Sequence, residues 1–368
     1  MKYAILGAGL TGLSLAKLLS NDNHEVTLYE KNENEIGGMC FELQEKDVKY
    51  SKYGPHIFHT NNEEVWKFIN ENCEMINYRH IAKSQTSKGI MDWPINYNVI
   101  KQVYETDDLE HALDLWKIDI MKDGIGLDED NFENKAIKNV GKKLYDLFIK
   151  RYTTTQWGTD PKNLPSELFG RVRIEKSYKE DFFSDKYVAL AKNGFNELCY
   201  NLLKNSKIVY KKITYKDLDK LKQKHDCIIS TIPPWILLHK EPLDMIKIEF
   251  KELSNTLVFS HTMRFNKISV LNLCDNINMT RITNYGELYK HINKSDKFIA
   301  EVPGEFGVPL YPIRLKANID KAQEMIDELK EKHNIISIGR LGSYKYINMD
   351  QAIEQSIETY KMLKGEIQ

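Results

Sequence analysis

The sequence predicts an α/β fold in which a parallel sheet is gathered from the beginning, middle and end of the chain, with a helical bundle and an antiparallel sheet inserted between its parts. Three observations predict it. A strand, a glycine-rich turn, a helix and a second strand follow one another within the first 30 residues. Short apolar strands recur at Cys227 to Ile232 and Ile335 to Ile338, the latter followed by a C-terminal helical stretch. Between them lie a long charged helical segment and a segment of alternating apolar and polar residues.

The opening carries the most information. Lys2 to Leu6 reads as a short buried strand, and His24 to Tyr29 as a second that ends in Glu30. Gly7, Gly9 and Gly12 stand between them at the spacing G-x-G-x-x-G, before a helix from Leu13 to Leu19. In a dinucleotide-binding turn the first glycine permits the tight turn, the second lets backbone approach a pyrophosphate, and the third lets helix and strand pack closely. The helix N-terminus offers free N–H groups and a positive dipole to phosphate. Glu30, 18 residues after Gly12, stands where a carboxylate takes ribose hydroxyls. Lys31 follows, then the pair Gly37-Gly38, a spacing usual in FAD enzymes of the glutathione-reductase and amine-oxidase type. The predicted fold is therefore a discontinuous Rossmann-like FAD-binding domain, with Gly7, Gly9, Gly12, Glu30, Lys31 and Gly38 as cofactor contacts.

Met39 to Val48 reads as a hairpin, and residues 52–60 (Lys-Tyr-Gly-Pro-His-Ile-Phe-His-Thr) as a shaped loop without helical period. Asn61 to Asn72 is helical, and Asp92-Trp93-Pro94-Ile95-Asn96 opens a new segment. From Tyr97 to Lys150 the pattern is helical, charged and free of proline, with a last helix from Val140 to Ile149. Pro161 and Pro165 break the chain, Arg171 and Arg173 follow on an extended stretch, and Phe195 to Leu203 is helical after the Asn193-Gly194 turn. Strands are expected at Lys247 to Phe250, Thr256 to Phe259, Ser269 to Leu273 and Lys297 to Val302, and helices at Asp320 to Glu331 and Met349 to Leu363. These elements divide the chain into an FAD-binding domain (1–75, 186–235 and 320–368), a helical insertion (96–158) and a β-sheet substrate domain (76–95, 159–185 and 236–319).

Bulk properties narrow the function. The formal net charge is −1, from 52 basic and 53 acidic residues, so no global field favours nucleic acid or an anionic membrane. Five widely spaced cysteines without a C-x-x-C pair argue for a reducing compartment and against a disulfide framework or a zinc site. No apolar run reaches the length of a membrane span, and Met1 leads directly into the first strand, which leaves no room for a signal peptide. A cytoplasmic protein without bound metal is expected.

Several stretches together resemble the UDP-galactopyranose mutase family. They are the glycine turn with Glu30 and Gly37-Gly38, the loop at 52–60, Trp93-Pro94-Ile95-Asn96, Tyr152 with Gln156-Trp157-Gly158, Phe183-Ser184-Asp185, Thr280-Arg281, Tyr311-Pro312, and Gly339-Arg340-Leu341 with Tyr344-Lys345-Tyr346. They fall in the family's order over almost the whole chain. The resemblance implies FAD that must be reduced, by NAD(P)H or another reductant, and whose N5 attacks the anomeric carbon and displaces the nucleoside diphosphate. The sugar then opens and recloses through a different hydroxyl, without net redox. Arg171 and Arg281 match the family's diphosphate arginines, and Tyr311 and Tyr346 two of its phenols. Tyr152 and Trp157 match nucleoside-side aromatics. His56 and His59 match the loop beside the isoalloxazine, without an assigned acid or base role; Arg340 matches a residue at the flavin, and Met349 opens the helix that faces it. Arg171, Arg281, His56 and His59 are thus the catalytic candidates. A homodimer through the helical insertion is implied by the same likeness.

Departures fall mainly in the sugar pocket. Phe182 replaces a common tyrosine on the diphosphate, and Asn348 an aspartate near flavin and sugar; both remain candidate substrate contacts. Met39 replaces an asparagine, Met279 a tyrosine, and Ser230 to Pro234 stands where Tyr-Arg-Ser-Leu is common. The expected reaction is UDP-galactopyranose to UDP-galactofuranose. Another nucleotide sugar (N-acetylgalactosamine, a 6-deoxyhexose, a heptose or arabinose) is compatible with the altered pocket. The competing reading is a net-redox flavoenzyme of the amine-oxidase type, which leaves both arginines and the tyrosine set unexplained; a non-catalytic dinucleotide-binding protein leaves them idle.

Overall fold

The computed structural model describes residues 1–253, 268–276 and 278–366. A five-stranded parallel sheet runs in the order Lys207–Tyr210, Glu25–Glu30, Lys2–Leu6, Cys227–Ser230, Ile335–Ser337. Its central strand is apolar on both faces, and alternate residues divide between two cores. Tyr3 and Ile5 pack with helices Leu10–Asn21, Phe195–Leu203 and Met349–Leu363. Ala4 and Leu6 pack with Leu218, Leu221 and Leu329, from helices Leu218–Lys224 and Lys316–His333. The first helix starts three residues before its predicted start, because Gly9 already serves as its N-cap and Leu10 is buried.

The second sheet has seven strands, in the order Val308–Pro312, Met245–Leu253, Phe298–Pro303, Arg281–Asn284, Val270–Leu273, Ala82–Thr86, Gly89–Trp93. It was expected to be antiparallel. One pair is not: Val270–Leu273 runs parallel to Ala82–Thr86, two strands far apart in sequence that no hairpin joins. The strand predicted from Thr256 to Phe259 lies outside the described residues. Arg281–Asn284 and Val308–Pro312 were not read as strands, since each is short and adjoins turn-forming residues. A three-stranded sheet joins Phe58–Thr60, Tyr187–Ala191 and Met75–Asn77, so the end of the 52–60 loop is itself strand.

The helical unit comprises Tyr97–Tyr104, Leu109–Gly124 and Phe132–Leu144, then a π-helical turn at Tyr145–Lys150 and the helix Arg151–Trp157. The helix predicted from Val140 to Ile149 is broken at Gly141, whose φ of 76° lies in the left-handed region. Leu164, Leu168 and Phe169 belong to the same core as Trp116, Phe132 and Phe148, so part of the 159–185 segment assigned to the β-rich unit packs on the helices instead. Arg171 closes the 3₁₀ turn Ser166–Arg171 and is not on an extended stretch.

The hairpin Glu42–Glu45 and Val48–Ser51 is tied to the Phe195–Leu203 helix through Glu42. Its Oε2 accepts the Asn196 N–H at 3.2 Å, and Asn196 Oδ1 accepts the Glu42 N–H at 2.9 Å. Burial pushes the Glu42 carboxyl up. A carboxyl raised in the folded state reduces stability as pH climbs through that raised value. Glu42→Gln is therefore expected to melt above the wild type at pH 8 and to lose the advantage near pH 4.5, read by thermal melts across that range. A constant difference at both pH values would refute a charge origin.

All five cysteines are free, and no described helix is long and apolar enough to cross a membrane.

Candidate active site

A cleft of about 900 Å³ lies between the seven-stranded sheet, the helical unit and the N-terminus of the Met349–Leu363 helix. Arg281 comes from the sheet. Its Nη2 donates to the Tyr152 hydroxyl at 3.3 Å, and its Nη1 stands 3.6 Å from Glu301 Oε1. Burial raises the Glu301 carboxyl while Arg281 pulls it back down, and Arg281 itself is held well above its ordinary range by that carboxylate despite burial. Glu301 was missed from sequence. Its only signal is that it faces Arg281 in strand register, and pairing between distant strands is not written in local pattern.

Arg171 enters from the opposite wall and is exposed at the mouth. Its guanidinium lies 3.4 Å from the Tyr346 ring centroid, and Nη2 donates to the Tyr346 carbonyl at 2.9 Å. Tyr311 packs beside Tyr346 with ring centroids 4.7 Å apart, and burial keeps the Tyr311 phenol protonated. Trp157 packs against both the helical core and the cluster around Tyr311, joining the two units at the cleft edge.

Arg340 is fixed through Nε and Nη2 to the Ile347 carbonyl at 3.1 and 2.6 Å, with Nη1 at 3.0 Å from Met39 Sδ. It lies 5.1 Å from the Tyr311 ring and 5.4 Å from the Tyr346 ring. Asn348 is the N-cap of the C-terminal helix, in a capping box with Gln351, whose Oε1 accepts the Asn348 N–H at 2.9 Å. Asn348 and the buried Met349 line the cleft.

His56 Nδ1 is 2.8 Å from the Gly54 carbonyl, which can only accept, so Nδ1 carries the proton and Nε2 a lone pair. Burial lowers His56 to about 4, aided by Arg340, and the ring is neutral at physiological pH. His59 Nδ1 pairs with Asp185 Oδ2 at 3.1 Å, and its ring stacks on Phe183 at 4.0 Å. Phe182 packs edge-on to His80 at 5.3 Å. His80, not singled out as a site residue, is a second buried neutral ring, lowered by burial to about 3, with no partner for Nδ1.

The glycine turn lies outside this cleft. Gly7 has φ +101°, and a Cβ there would stand 2.3 Å from Thr231 Oγ1. At Gly12 a Cβ would stand 2.2 Å from the Gly7 carbonyl, whereas at Gly9 it would meet nothing within 4 Å. The backbone at Gly9 is thus open to an approaching group, and the first-turn N–H groups of the following helix have no intrahelical partners. Glu30 Oε2 accepts from Ala8 N at 2.9 Å and Oε1 from Lys31 N and Asn32 N at 2.8 and 3.0 Å. A carboxylate has about four acceptor positions, so one remains for a ribose hydroxyl. Lys31 joins the turn through its backbone N–H, and its side chain is exposed. Gly38 lies against Gly9, where a Cβ would approach the Gly9 Cα to 3.1 Å. This open turn fits a dinucleotide pyrophosphate.

A model of the UDP-galactopyranose mutase family matches residues 147–346, which include both arginines, Glu301 and the paired tyrosines. The chain belongs to that family. It is accordingly an isomerase, a pyranose mutase. A model of an NAD(P)-binding Rossmann-like domain matches residues 5–71, the glycine turn and the histidine loop. Among mutase relatives, a dTDP-fucopyranose mutase of Escherichia coli is 28% identical over 380 residues, covering 97% of each chain. A probable UDP-galactopyranose mutase of Klebsiella pneumoniae is 26% identical over 364 residues, covering 96% of this chain and 92% of that one. A crystal structure of reduced UDP-galactopyranose mutase superposes with a TM-score of 0.76 at 14% identity, covering 100% of this chain and 96% of that one, and so shares the mutase fold.

Proposed function

We propose that this pyranose mutase binds FAD and interconverts the pyranose and furanose forms of a nucleoside-diphosphate hexose, with UDP-galactopyranose as substrate. The observation that carries the reading is the meeting of Arg171 and Arg281, from opposite walls, with Tyr152, Tyr311 and Tyr346 in one cleft. Two guanidiniums and the phenols beside them form a preorganised donor set for a diphosphate. Gly7, Gly9, Gly12, Glu30 and Gly38 would hold the adenine half of the cofactor, and His56, Arg340 and Met349 its other half. When bound and reduced, the flavin supplies a nucleophile for the anomeric carbon. The protein's part is to keep the departed diphosphate in place for recapture and to orient the sugar. The neutral His56 offers Nε2 as an acceptor to a sugar hydroxyl without adding charge. A second substrate, a 6-deoxyhexose on a thymidine nucleotide, is favoured by the near full-length likeness to a dTDP-fucopyranose mutase.

Dithionite-reduced protein, incubated with UDP-galactopyranose and dTDP-fucopyranose and analysed by chromatography, is expected to form a furanose product from one of them. Turnover only by oxidised protein, with consumption of oxygen, would overturn the mutase mechanism in favour of a net-redox one.

A further inference from the structure

The turn between the short helix Gly339–Gly342 and the helix Met349–Leu363 brings Tyr346 to the cleft, and it bends at an unusual residue. Tyr344 adopts a φ of 48°, in the left-handed region that bulky side chains rarely enter. Such a conformation persists only where its surroundings hold it. Here they hold it by side chain and backbone together. The ring is 2% exposed and packs with Trp235, Leu243 and Met325, edge-on to Trp235 at 6.2 Å. The hydroxyl donates to the Asp244 carbonyl at 2.6 Å and to the Ile313 carbonyl at 3.1 Å, one proton shared between two acceptors. The Tyr344 carbonyl accepts from Arg314 Nη1 at 3.3 Å.

The two acceptors mark one end of the seven-stranded sheet. Met245 pairs with Pro312, and Asp244 and Ile313 lie just beyond that pair, where the Ile313 N–H meets the Asp244 carbonyl at 3.1 Å. Tyr311 stands two residues before Ile313, and Tyr346 two residues after Tyr344. The hydroxyl thus ties the turn that carries Tyr346 to the strand that carries Tyr311, and the two rings face each other across this tie at 4.7 Å between centroids. Tyr346 in turn seats Arg171, whose guanidinium lies 3.4 Å from its ring centroid and donates to its carbonyl at 2.9 Å.

We propose that Tyr344 is a positioning residue of the substrate cleft: its buried hydroxyl fixes Tyr346, and through it Arg171, against Tyr311. This rests on the reading of those three residues as diphosphate donors. Donors of this kind serve a diphosphate best when their spacing is set before the ligand arrives. Tyr344 faces the core and acts by removing freedom from the residues that face the ligand. Tyr344→Phe isolates the hydroxyl. The ring packing stays, and both carbonyls keep a donor, the Ile313 N–H for Asp244 and Asn318 Nδ2, at 3.0 Å, for Ile313. No buried acceptor is stranded, so the fold tolerates the change.

The test is a double-mutant cycle, read by calorimetric titration of the flavin-loaded protein with UDP. Tyr346→Phe alone is expected to weaken UDP at least tenfold. Tyr344→Phe alone is expected to weaken it at least fivefold while keeping a full complement of flavin. In the Tyr344→Phe background, Tyr346→Phe is expected to cost less than twofold more, because its phenol is already out of place. Losses that multiply, or a Tyr344→Phe protein that binds UDP as the wild type does, would overturn the assignment. Should Tyr344→Phe fail to fold, Arg314→Ala loosens the same turn from its carbonyl side. The cost of Tyr346→Phe is expected to shrink at least threefold in that background, and an undiminished cost there would equally overturn the assignment. A wild type whose UDP affinity is unchanged by Tyr346→Phe would instead remove Tyr346 from the diphosphate site, so the reading of the cleft fails on a variant in which Tyr344 is intact, and the role given to Tyr344 falls with it.

Discussion

Arg281→Ala is expected to lower kcat/KM of the reduced enzyme about 30- to 150-fold, the loss of roughly 2–3 kcal/mol carried by a charge-assisted contact. The geometry supports an effect of this size. The guanidinium is held from two sides, by the Tyr152 hydroxyl at 3.3 Å and by Glu301 at 3.6 Å, so its orientation is set before substrate arrives. Its Nε is buried without a partner, which leaves donor capacity unused in the absence of ligand. Alanine would also leave Glu301 buried beside no cation, and Glu301 would rise further without the charge that now pulls it down. Arg281→Lys separates the two effects. It keeps the counter-charge for Glu301 but loses the planar fork, so it is expected to melt like the wild type while still losing activity. Kinetics unchanged in Arg281→Ala, with a verified substrate, would remove this residue from the site.

The parts of the molecule legible in sequence were those encoded by local pattern. The βαβ turn at 1–30 and the helices Phe195–Leu203 and Met349–Leu363 follow from short-range spacing, and the structure keeps their predicted character. The proposed substrate residues and the histidine loop line one cleft, in the order along the chain that the resemblance carried, while the glycine turn lies outside it. What stayed hidden depends on pairing across long separations. The parallel pairing of Val270–Leu273 with Ala82–Thr86 joins strands nearly 190 residues apart, and it aligns Asn272 with Ser84. Glu301 and His80 each read as an ordinary polar residue, and become notable only through what the fold sets beside them. The packing of Leu164, Leu168 and Phe169 on the helices has a similar cause: prolines marked a break, but which core these residues would join is a tertiary outcome.

The glycine turn permits a sharper test than activity, because its three glycines face different surroundings. Gly12→Ala places a methyl 2.2 Å from the Gly7 carbonyl, and that carbonyl cannot retreat. Gly7 is tied by its N–H to the Tyr29 carbonyl at 2.8 Å, and it adopts a φ of +101° beside Thr231, whose hydroxyl donates to the Leu6 carbonyl at 2.9 Å. Helix and strand must therefore separate, an overpacking cost of about 3 kcal/mol, seen as a fall of about 4 °C in melting temperature. Gly9→Ala meets nothing within 4 Å and already has an extended backbone with φ −78°, so the flavin-free protein is expected to melt as the wild type does. Its defect is expected only when cofactor is added, as loss of bound flavin absorbance after gel filtration, because the new methyl occupies the space through which a pyrophosphate reaches the backbone. Gly9→Ala protein that retains its full complement of flavin would show that the pyrophosphate is not held at this turn, whatever the outcome for Gly12→Ala.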